Sequence, residues 1–482
     1  MTTTHTLIEQ LKRIVGPQYV LHEPEDLLVF EYDGSIDRGL PAAVVLPNTA
    51  EQVSAVVRLA RESGQPVVPR GAGTGLSGGA IPLAHGIVIA LTRMKRVLEI
   101  DDVNRLAVVE PGVINLDISK AVAHLGLYYA PDPSSQRACT IGGNVAENSG
   151  GPHCLAYGVT TNHILALEVV LPDGDVVWLG DPTGVAPGYD LRGAFIGSEG
   201  TFGIATKVVV RLLPQPEAVR TMLAVFDRLD DASMTVSDII GNGVIPAAIE
   251  MMDQVTIQAV EPALHVGLPL DAEAVLLIEV DGLRESVEEQ SDAVLSICKQ
   301  NHARDVRVAE EVVDRERLWS ARKGAIGALG RLAPNYYILD GVVPRSKLPQ
   351  VLQEVRKIGE RYGFPIANVF HAGDGNLHPN ILFDERVPGE SQRVLEAGAE
   401  IMRVCVDAGG ALTGEHGIGI EKQDFMAWVY SEDDLAAMVN LRTAFGSDEG
   451  FNPGKIFPGA RSSCGELTQK VVERASAMGA YI

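Results

Sequence analysis

Two histidines, His371 and His378, stand seven positions apart in the stretch HAGDGNLHPN. Imidazole nitrogens are common ligands of zinc and other transition metals, so the pair could supply part of a metal site. Two histidines around a glycine turn also fit an ordinary polar loop, and alone they leave both interpretations open. Asp374 suits an Asx turn and is interpreted as structural. Asn380 could point with the histidines and hydrogen-bond a substrate.

The motif GEHGIG at 414–419 could complete such a site. Glu415 with His371 and His378 would make a set of two imidazoles and one carboxylate, suited to zinc or another divalent metal with open positions for substrate. His416 follows directly and, with an unperturbed pKa of about 6.5, is a candidate base. Adjacent side chains on a strand face opposite ways, so these two residues can act together only where the backbone is irregular. The flanking glycines permit that.

The first half of the chain contains three glycine-rich stretches: PRGAGTGLSGGA (69–80), CTIGGNVAENSGG (139–151) and GSEGTFGI (197–204). Backbone without side chains can approach a diphosphate closely and point successive N–H groups at its oxygens. The first stretch is neither a P-loop nor a good Rossmann fingerprint, and alone it fits a phosphate loop and a tight turn equally well. Three such loops could surround a long cofactor that carries a polyphosphate.

Strands and helices must hold these loops. From Pro41 the pattern alternates strand, helix and strand, Thr49 to Gln52 has the form of a capping box, and Gly64 suits the left-handed position after the helix. The predicted buried face of that helix consists of Val53, Val56, Val57 and Ala60. Further strands are predicted within AAVVLP, PVVP, GIVIAL (86–91), RLAVVEPG (105–112) and ALEVVLPDGDVVWL (166–179), the last with a hairpin turn at Asp173-Gly174.

The organisation changes after PQPEA (214–218). Strands such as MLAVF (222–226) and AVLLIEV (274–280) alternate there with long polar helices such as ESVEEQSDAVLSICKQ and KLPQVLQEVRKIGERYG. This alternation predicts an α+β domain in which helices cover an antiparallel sheet.

The totals exclude several classes of protein. A chain of 482 residues is too long for one core and predicts two or three domains. The net charge of −23 argues against nucleic acid or an anionic membrane as a general partner. The sequence contains no run of about 18 apolar residues, so a membrane-spanning helix is not expected. The first residues have the pattern of an amphipathic helix and not that of a signal peptide. Five scattered cysteines without a CxxC pair indicate free thiols in a reducing cytosol, which predicts a cytoplasmic location.

The glycine loops, PDPSS (131–135) and the second-half motifs resemble a known family of flavoproteins, named after vanillyl-alcohol oxidase and p-cresol methylhydroxylase. Within it, the chain is similar to the branch of glycolate oxidase, D-lactate dehydrogenase and D-2-hydroxyglutarate dehydrogenase. The resemblance implies an α+β fold with a two-part FAD-binding domain followed by a substrate (cap) domain. The expected limits are an N-terminal helical segment at 1–36, the FAD domain at 37–216, the cap at 217–450, and a segment at 451–482 that returns to the flavin domain.

The resemblance also implies which residues contact FAD. Thr74 stands where some relatives attach the flavin to a histidine, so FAD should be bound noncovalently. FNPGKIFP (451–458) resembles the segment that returns to the flavin, with Asn452 as the contact. The full set of implied FAD contacts is Arg70, Gly71, Ala72, Gly73, Thr74, Gly75, Ser77, Pro133, Ser135, Gly142, Asn144, Asn148, Gly151, Ile204 and Asn452.

In this family the motifs HxGDGNLH and GEHG hold a metal, which implies His371, His378 and Glu415 as ligands and His416 as the base. Oxidation of a 2-hydroxy acid removes a hydride from Cα and a proton from the hydroxyl. A divalent metal, with zinc favoured and manganese or iron as alternatives, would polarise that hydroxyl. Arg322 aligns with the arginine that holds the substrate carboxylate, and an ordinary surface charge is the alternative.

The substrate implied is a short 2-hydroxy acid, D-lactate or glycolate. Ile338 stands where relatives that act on 2-hydroxyglutarate carry a lysine, and this difference disfavours a dicarboxylate. Electrons must leave through a separate quinone, cytochrome, ferredoxin or iron–sulfur partner, which could place the protein at the membrane periphery or make it the flavin subunit of a larger complex. A homodimer is compatible with the sequence, and a metal-dependent hydrolase is the alternative from another class.

Overall fold

A computed structural model describes residues 4–184, 188–447 and 450–458, so the predicted returning segment is described only as far as residue 458. The chain divides into two compact units. Unit 1 consists of the described residues of Met1–Ser149, Val159–Pro214 and Glu415–Ile482, and unit 2 of Gly150–Gly158 and Gln215–Gly414. Each contains both helices and sheets, which confirms the predicted α+β class.

The strands of the described residues are β1 (Val20–Leu21), β2 (Ala43–Val45), β3 (Val67–Arg70), β4 (Ile87–Ala90), β5 (Val97–Asp101), β6 (Leu106–Val109), β7 (Leu127–Tyr128), β8 (Ile164–Val170), β9 (Val176–Gly180), β10 (Ile204–Arg211), β11 (Leu213–Pro214), β12 (Ala218–Phe226), β13 (Ala248–Asp253), β14 (Ala274–Gly282), β15 (Asp305–Val308), β16 (Asn335–Ile338), β17 (Gly341–Val342), β18 (Ile366–His371), β19 (Asn376–Leu377) and β20 (Pro379–Phe383). The α-helices are α1 (Thr4–Val15), α2 (Pro24–Leu27), α3 (Ala50–Glu62), α4 (Asn115–Val122), α5 (Ile141–Glu147), α6 (Cys154–Tyr157), α7 (Leu191–Phe195), α8 (Leu229–Gly241), α9 (Gln254–Leu264), α10 (Arg284–Gln300), α11 (Val312–Leu329), α12 (Leu348–Tyr362), α13 (Glu390–Asp407) and α14 (Glu432–Ala444).

Helix α3 shows how local sequence builds unit 1. The hydroxyl of Thr49 accepts a hydrogen bond from the Gln52 N–H, as the capping motif predicts, although the Gln52 side chain accepts from the Asn48 N–H instead of closing the box on Thr49. The buried residues of the helix are Val53, Val56, Val57 and Ala60, and Gly64 follows with a φ of 64°. The periodicity, the cap and the helix end are confirmed.

Two sheets of unit 1 frame the glycine loops. The first has the order β1-β2-β4-β3, in which β2 and β3 lie parallel to β4. The loop 71–80 leaves the carboxyl end of β3 without helix or strand. The second sheet, β5-β6-β10-β8-β9, is antiparallel, and its β8–β9 hairpin turns at Asp173-Gly174 as predicted, with Gly174 at a φ of 86°.

Unit 2 contains an antiparallel sheet in the order β15-β12-β14-β13-β18-β19-β17, with β20 paired to both β18 and β16. Helices α8 and α10 pack against β12 and β14, whereas α9 and α11 pack against β18. The core between α9, α11 and the sheet includes Ile257, Val260, Ala325 and Leu329, all fully or almost fully buried. A helix-covered antiparallel sheet is what the second half of the sequence predicted.

Candidate active site

His371 ends strand β18, and its side chain is fixed from the neighbouring strand. Glu250 of β13 stands directly opposite in the antiparallel register, and its carboxylate oxygens lie 2.8 and 3.0 Å from Nδ1 of His371. An ionised carboxylate only accepts hydrogen bonds, so Nδ1 carries a hydrogen and Nε2 is the nitrogen that could bind a metal. A carboxylate behind an imidazole is the usual support of a metal-bound histidine.

His378, between β19 and β20, is oriented in the same way. Its Nδ1 lies 3.2 Å from the carbonyl oxygen of Leu339, which can only accept, so Nδ1 carries a hydrogen and Nε2 is again the nitrogen that could bind a metal. The rings of His378 and His371 are nearly perpendicular, with centroids 5.1 Å apart. Two buried imidazoles, each fixed through its Nδ1 atom, therefore lie within one region of unit 2.

The turn that joins the two histidines has the predicted polar geometry. The Asp374 carboxylate accepts from the Asn376 N–H at 3.1 Å, which forms the Asx turn, and Gly375 adopts a φ of 80°. A side chain on Gly375 would collide with the carbonyl of Val343. The glycines and Asp374 thus shape the turn.

The start of GEHGIG lies against this loop. A Cβ on Gly414 would stand 2.5 Å from the amide of Asn376, so only glycine allows this approach. Asp340, fully buried, accepts from the Gly414 N–H at 3.1 Å and from the Thr413 hydroxyl at 2.5 Å. Glu415 is joined to Gly414 by the next peptide bond and is the first residue of the other unit.

Arg322 of α11 shares the carboxylate that holds His371. Its Nε donates to Glu250 at 2.6 Å, and the two side chains are 2% and 0% exposed, so this is a fully buried ion pair. Burial raises the pKa of Glu250, but the charges of Arg322 and His371 and their hydrogen bonds outweigh it and lower the pKa below its usual value. Arg322 is not the ordinary surface charge that was the alternative. Lys323 instead lies over the Trp319 ring.

Asn380 is fully buried in β20. Its Nδ2 donates to the carbonyl oxygens of Ala367 and His378 at 3.1 and 2.7 Å, which fixes the orientation of the amide. Its Oδ1 has no hydrogen-bond partner in the described part of the chain, so this atom could accept from a ligand.

In unit 1, Glu415 and His416 lie in irregular backbone, as their cooperation requires. Gly417 and Gly419 have φ values of 90° and 51°, and Oε1 of Glu415 lies 3.8 Å from Nε2 of His416. The carboxylate of Glu199, in the third glycine loop, accepts from the N–H groups of Ile418 and Gly419 at 2.6 Å each. The motif is thereby tied to the glycine loops of unit 1.

The three glycine loops lie close together. A side chain on Gly71 of the first loop would collide with the Thr140 hydroxyl at the start of the second. Asn452 joins the first loop to the third, because its Nδ2 donates to the carbonyls of Gly79 and Glu199 at 3.1 and 2.7 Å. The loops therefore form one cradle, as a single long ligand would need.

Comparison with known families agrees with this cradle. The family described as FAD binding domain matches residues 41–180, and the family described as FAD linked oxidases, C-terminal domain, matches residues 215–456. The chain belongs to the FAD-linked oxidases. It is 48% identical to glycolate oxidase subunit GlcD of Escherichia coli strain K12 over 94% of this chain and 91% of that protein.

Other members of the family are also similar along most of their length. Subunit GlcD of Bacillus subtilis is 41% identical over 94% of this chain and 97% of that protein, and a D-lactate dehydrogenase of Anaerostipes hadrus is 32% identical over the same shares. The solved structure of p-cresol methylhydroxylase matches with a TM-score of 0.78 at 18% identity, over 92% of this chain and 95% of that one, which shows the shared fold. The resemblance seen in the sequence is confirmed.

Unit 1 fits the FAD of this family. Several buried polar atoms of the cradle have no hydrogen-bond partner in the described part of the chain: Nη1 of Arg70, Oγ of Ser77, Oγ1 of Thr140 and Oδ1 of Asn452. Buried polar atoms are almost always paired, so these atoms point to a polar ligand. Arg70 also donates to the Tyr32 carbonyl and lies against Phe30, and burial lowers its pKa.

The other predicted FAD contacts lie in or beside these loops. Ala72, Gly73, Thr74 and Gly75 belong to the first loop, and a side chain on Gly73 would collide with Arg70. Pro133 and Ser135 precede α5, Gly142 and Asn144 lie within it, Asn148 follows it in the left-handed region, and Ile204 begins β10. Gly151 belongs to unit 2.

Sequence reasoning missed the buried carboxyl groups that surround these motifs. Glu250 and Asp340 in unit 2, and Glu147 and Glu199 in unit 1, were assigned no role. A lone glutamate inside the apolar strand AAIEMMD was the available signal for Glu250, because a charge on a core-facing strand position needs a partner. The signal is not specific: Glu168, in ALEVV, instead pairs with Lys207 at 2.9 Å.

None of the described helices combines the length and the apolar composition that crossing a membrane would require.

Proposed function

We propose that the protein is an FAD-dependent dehydrogenase that oxidises a short 2-hydroxy acid, D-lactate or glycolate, to the 2-oxo acid. The similar proteins named glycolate oxidase subunit and D-lactate dehydrogenase support this class of reaction. The observation that carries the proposal is the Glu250 carboxylate, which binds both Arg322 and His371. One buried carboxylate thereby holds Arg322, which could bind the substrate carboxylate, beside His371, a candidate ligand of the metal. A 2-hydroxy acid carries its carboxylate and its hydroxyl on adjacent carbon atoms, so it needs these two binding groups close together.

The residues take separate tasks. Arg322 would hold the substrate carboxylate, Asn380 would accept a hydrogen bond from the substrate, and His416 would take the hydroxyl proton. His371, His378 and Glu415 would hold a divalent metal, with zinc favoured by its preference for two imidazoles and one carboxylate. A metal held there would supply a Lewis acid that lowers the pKa of the substrate hydroxyl, and FAD held by unit 1 would supply the acceptor for the hydride from Cα. Removal of one hydride and one proton gives the 2-oxo acid.

Short substrates are favoured by Ile338. It is the residue paired with Asn380 in the β16–β20 ladder, and it offers no charge for a second carboxylate. The domain limits at 37–216 and 217–450 and the noncovalent state of FAD at Thr74 belong to the same proposal. A cytoplasmic location, at the membrane periphery when the electron acceptor lies there, also belongs to it.

A second candidate role is that of the flavin subunit in a larger complex, because two similar proteins are named as subunits. Electrons would then pass to a separate redox partner. Reduction of the flavin by 2-hydroxy acids in the absence of oxygen tests the dehydrogenase proposal. A copurifying redox protein that reoxidises the flavin would support the complex, and a colourless protein that hydrolyses esters or amides would instead support a hydrolase.

A further inference from the structure

The carboxyl group of Glu147, the last residue of α5, has no part in the proposed function. Its Oε2 is buried and has no hydrogen-bond partner among the described residues 4–184, 188–447 and 450–458. The residue as a whole is only partly buried, so a ligand could reach the side chain. A buried carboxyl oxygen without a partner is rare and needs an explanation.

Glu147 stands where the first glycine loop meets the GEHGIG motif within unit 1. A Cβ on Gly79 would lie 2.7 Å from its Oε1, and one on Gly75 would lie 3.8 Å away. A Cβ on Gly417 would collide with its Oε2 and would lie 2.9 Å from Oε1 of Glu199. Glycine at these positions leaves room around the two carboxyl groups.

The two neighbouring carboxyl groups differ in their hydrogen bonds. Burial raises the pKa of Glu199, but both of its oxygens accept backbone N–H groups, from Ile418 and Gly419, which favour its ionised form. Burial, followed by the charges of Glu199 and Asp33, raises the pKa of Glu147 well above its usual value, against the opposing charges of Lys422 and Lys455. A Cβ on Gly417 would contact both carboxyl groups, so the two lie close together, and two close buried carboxyl groups do not readily ionise at the same time. Glu199 has backbone donors on both oxygens, whereas Oε2 of Glu147 has none in the described chain, so this geometry favours the proton on Glu147, which can then donate a hydrogen bond.

Other unsatisfied atoms surround the same point of the loop. The Ser77 hydroxyl would lie 3.8 Å from a Cβ on Gly79, and Asn452 donates to the Gly79 carbonyl while its own Oδ1 lacks a partner in the described chain. All these residues belong to the cradle that fits FAD. Gly417 directly follows the proposed base His416, so this end of the cradle is the one nearest in the chain to the proposed chemistry.

We propose that Glu147 positions the flavin ring of bound FAD through a hydrogen bond from its carboxyl group to an acceptor atom of the ring. This inference requires only that FAD is bound, and it goes beyond the proposed substrate chemistry. It adds Glu147 to the cofactor contacts implied by the resemblance.

The test compares purified holoenzymes that carry Glu147→Leu or Glu147→Gln, with Glu168→Gln as the matched control. Glu168 is also a buried carboxyl in unit 1, but it is paired with Thr206 and Lys207. Leucine removes the donor, whereas glutamine keeps a neutral N–H donor of similar shape. We would measure the FAD dissociation constant of each apoprotein, the visible flavin spectrum and the flavin midpoint potential, all without substrate.

Glu147→Leu should weaken FAD binding about 3- to 10-fold, the loss of one neutral hydrogen bond, and change the spectrum and the potential. Glu147→Gln should stay within about threefold of wild type, and the control should match wild type. Wild-type affinity and spectrum for Glu147→Leu would overturn the proposal. If Glu147→Leu does not fold, the Glu147→Gln variant provides the test. Weaker FAD binding by Glu147→Gln would overturn the proposal. A higher flavin midpoint potential in this variant would also overturn it, because it would show that the substitution removed a negative charge. Normal FAD binding without reduction by 2-hydroxy acids would contradict only the proposed function.

Discussion

The carboxylate of Glu250 accepts a hydrogen bond from Nδ1 of His371 at 2.8 Å, across a directly paired position of β13 and β18. The same carboxylate accepts from Nε of Arg322 at 2.6 Å. Since all three side chains are buried, neither the imidazole nor the guanidinium can turn without breaking a hydrogen bond to a carboxylate in a region of low dielectric. Glu250 therefore orients two candidate site residues from different elements.

Replacement of Glu250 by glutamine tests this support. The neutral amide supports the histidine less well as a metal ligand, so metal affinity should fall about 10- to 100-fold while FAD stays bound. Metal content after dialysis, measured together with flavin absorbance, would show the difference. Glu279→Gln is the matched control, because Glu279 lies in β14 of the same sheet and is also a buried carboxylate paired with a histidine, His153. Unchanged metal affinity in Glu250→Gln would contradict the orienting role.

Replacement of His378 by alanine should remove a metal ligand without touching the flavin cradle of unit 1. The variant should bind FAD like wild type and lose both bound metal and turnover, because the substrate hydroxyl is no longer polarised. Metal analysis and steady-state assays on the same preparation measure the two losses. A variant with full activity would show that the metal assignment is wrong.

Replacement of Arg322 by lysine keeps the charge but removes the planar, bidentate geometry that suits a carboxylate. The loss of a charge-assisted hydrogen bond, about 1.5–3 kcal/mol, predicts a decrease in kcat/KM of about 10- to 150-fold. Lys323→Gln is the control, since the neighbouring Lys323 lies over Trp319 and has no proposed contact with substrate. Equal kinetics for Arg322→Lys and the control would exclude Arg322 as the carboxylate clamp.

The lowered pKa of Glu279 predicts how the free energy of unfolding depends on pH. Burial raises its pKa, but the hydrogen bond and charge of His153 and the hydrogen bonds of Thr221 and Trp319 outweigh it, so the pKa lies below its usual value. Its stabilisation is fully present above the unfolded-state pKa of about 4.3 and is lost as pH falls through the lower folded-state value. Unfolding by urea at several pH values should therefore show a smaller acid loss for Glu279→Gln than for wild type. The exposed Glu288→Gln should behave like wild type, and parallel curves for all three proteins would refute the prediction.

Features set by nearby residues could be predicted from the sequence. The buried face of α3 follows from side chains three and four positions apart, and the turns at Asp173-Gly174 and Asp374 follow from residues that favour them locally. The FAD cradle was predicted from glycine-rich segments and a family resemblance. In these cases the residues that determine a local conformation lie within a few positions of it in the sequence.

Contacts between distant segments could not be predicted in this way. Glu250 and His371 are 121 positions apart, and only the register of β13 with β18 makes them neighbours. The approach of Gly414 to Asn376 and the assignment of Gly150–Gly158 to unit 2 also depend on long-range packing. A glutamate in a buried strand indicates that it has a polar partner, but the partner can be identified only when the pairing of the strands is known.

Whether the protein oxidises 2-hydroxy acids is tested most directly by the absorbance of the bound flavin during anaerobic addition of D-lactate, L-lactate, glycolate and D-2-hydroxyglutarate. We expect glycolate or D-lactate to bleach the flavin rapidly and to yield one molecule of the 2-oxo acid for each flavin that is reduced. L-Lactate and D-2-hydroxyglutarate should react much more slowly, the latter because Ile338 offers no cation for a second carboxylate. A flavin that none of these 2-hydroxy acids reduces would contradict the proposed dehydrogenase activity.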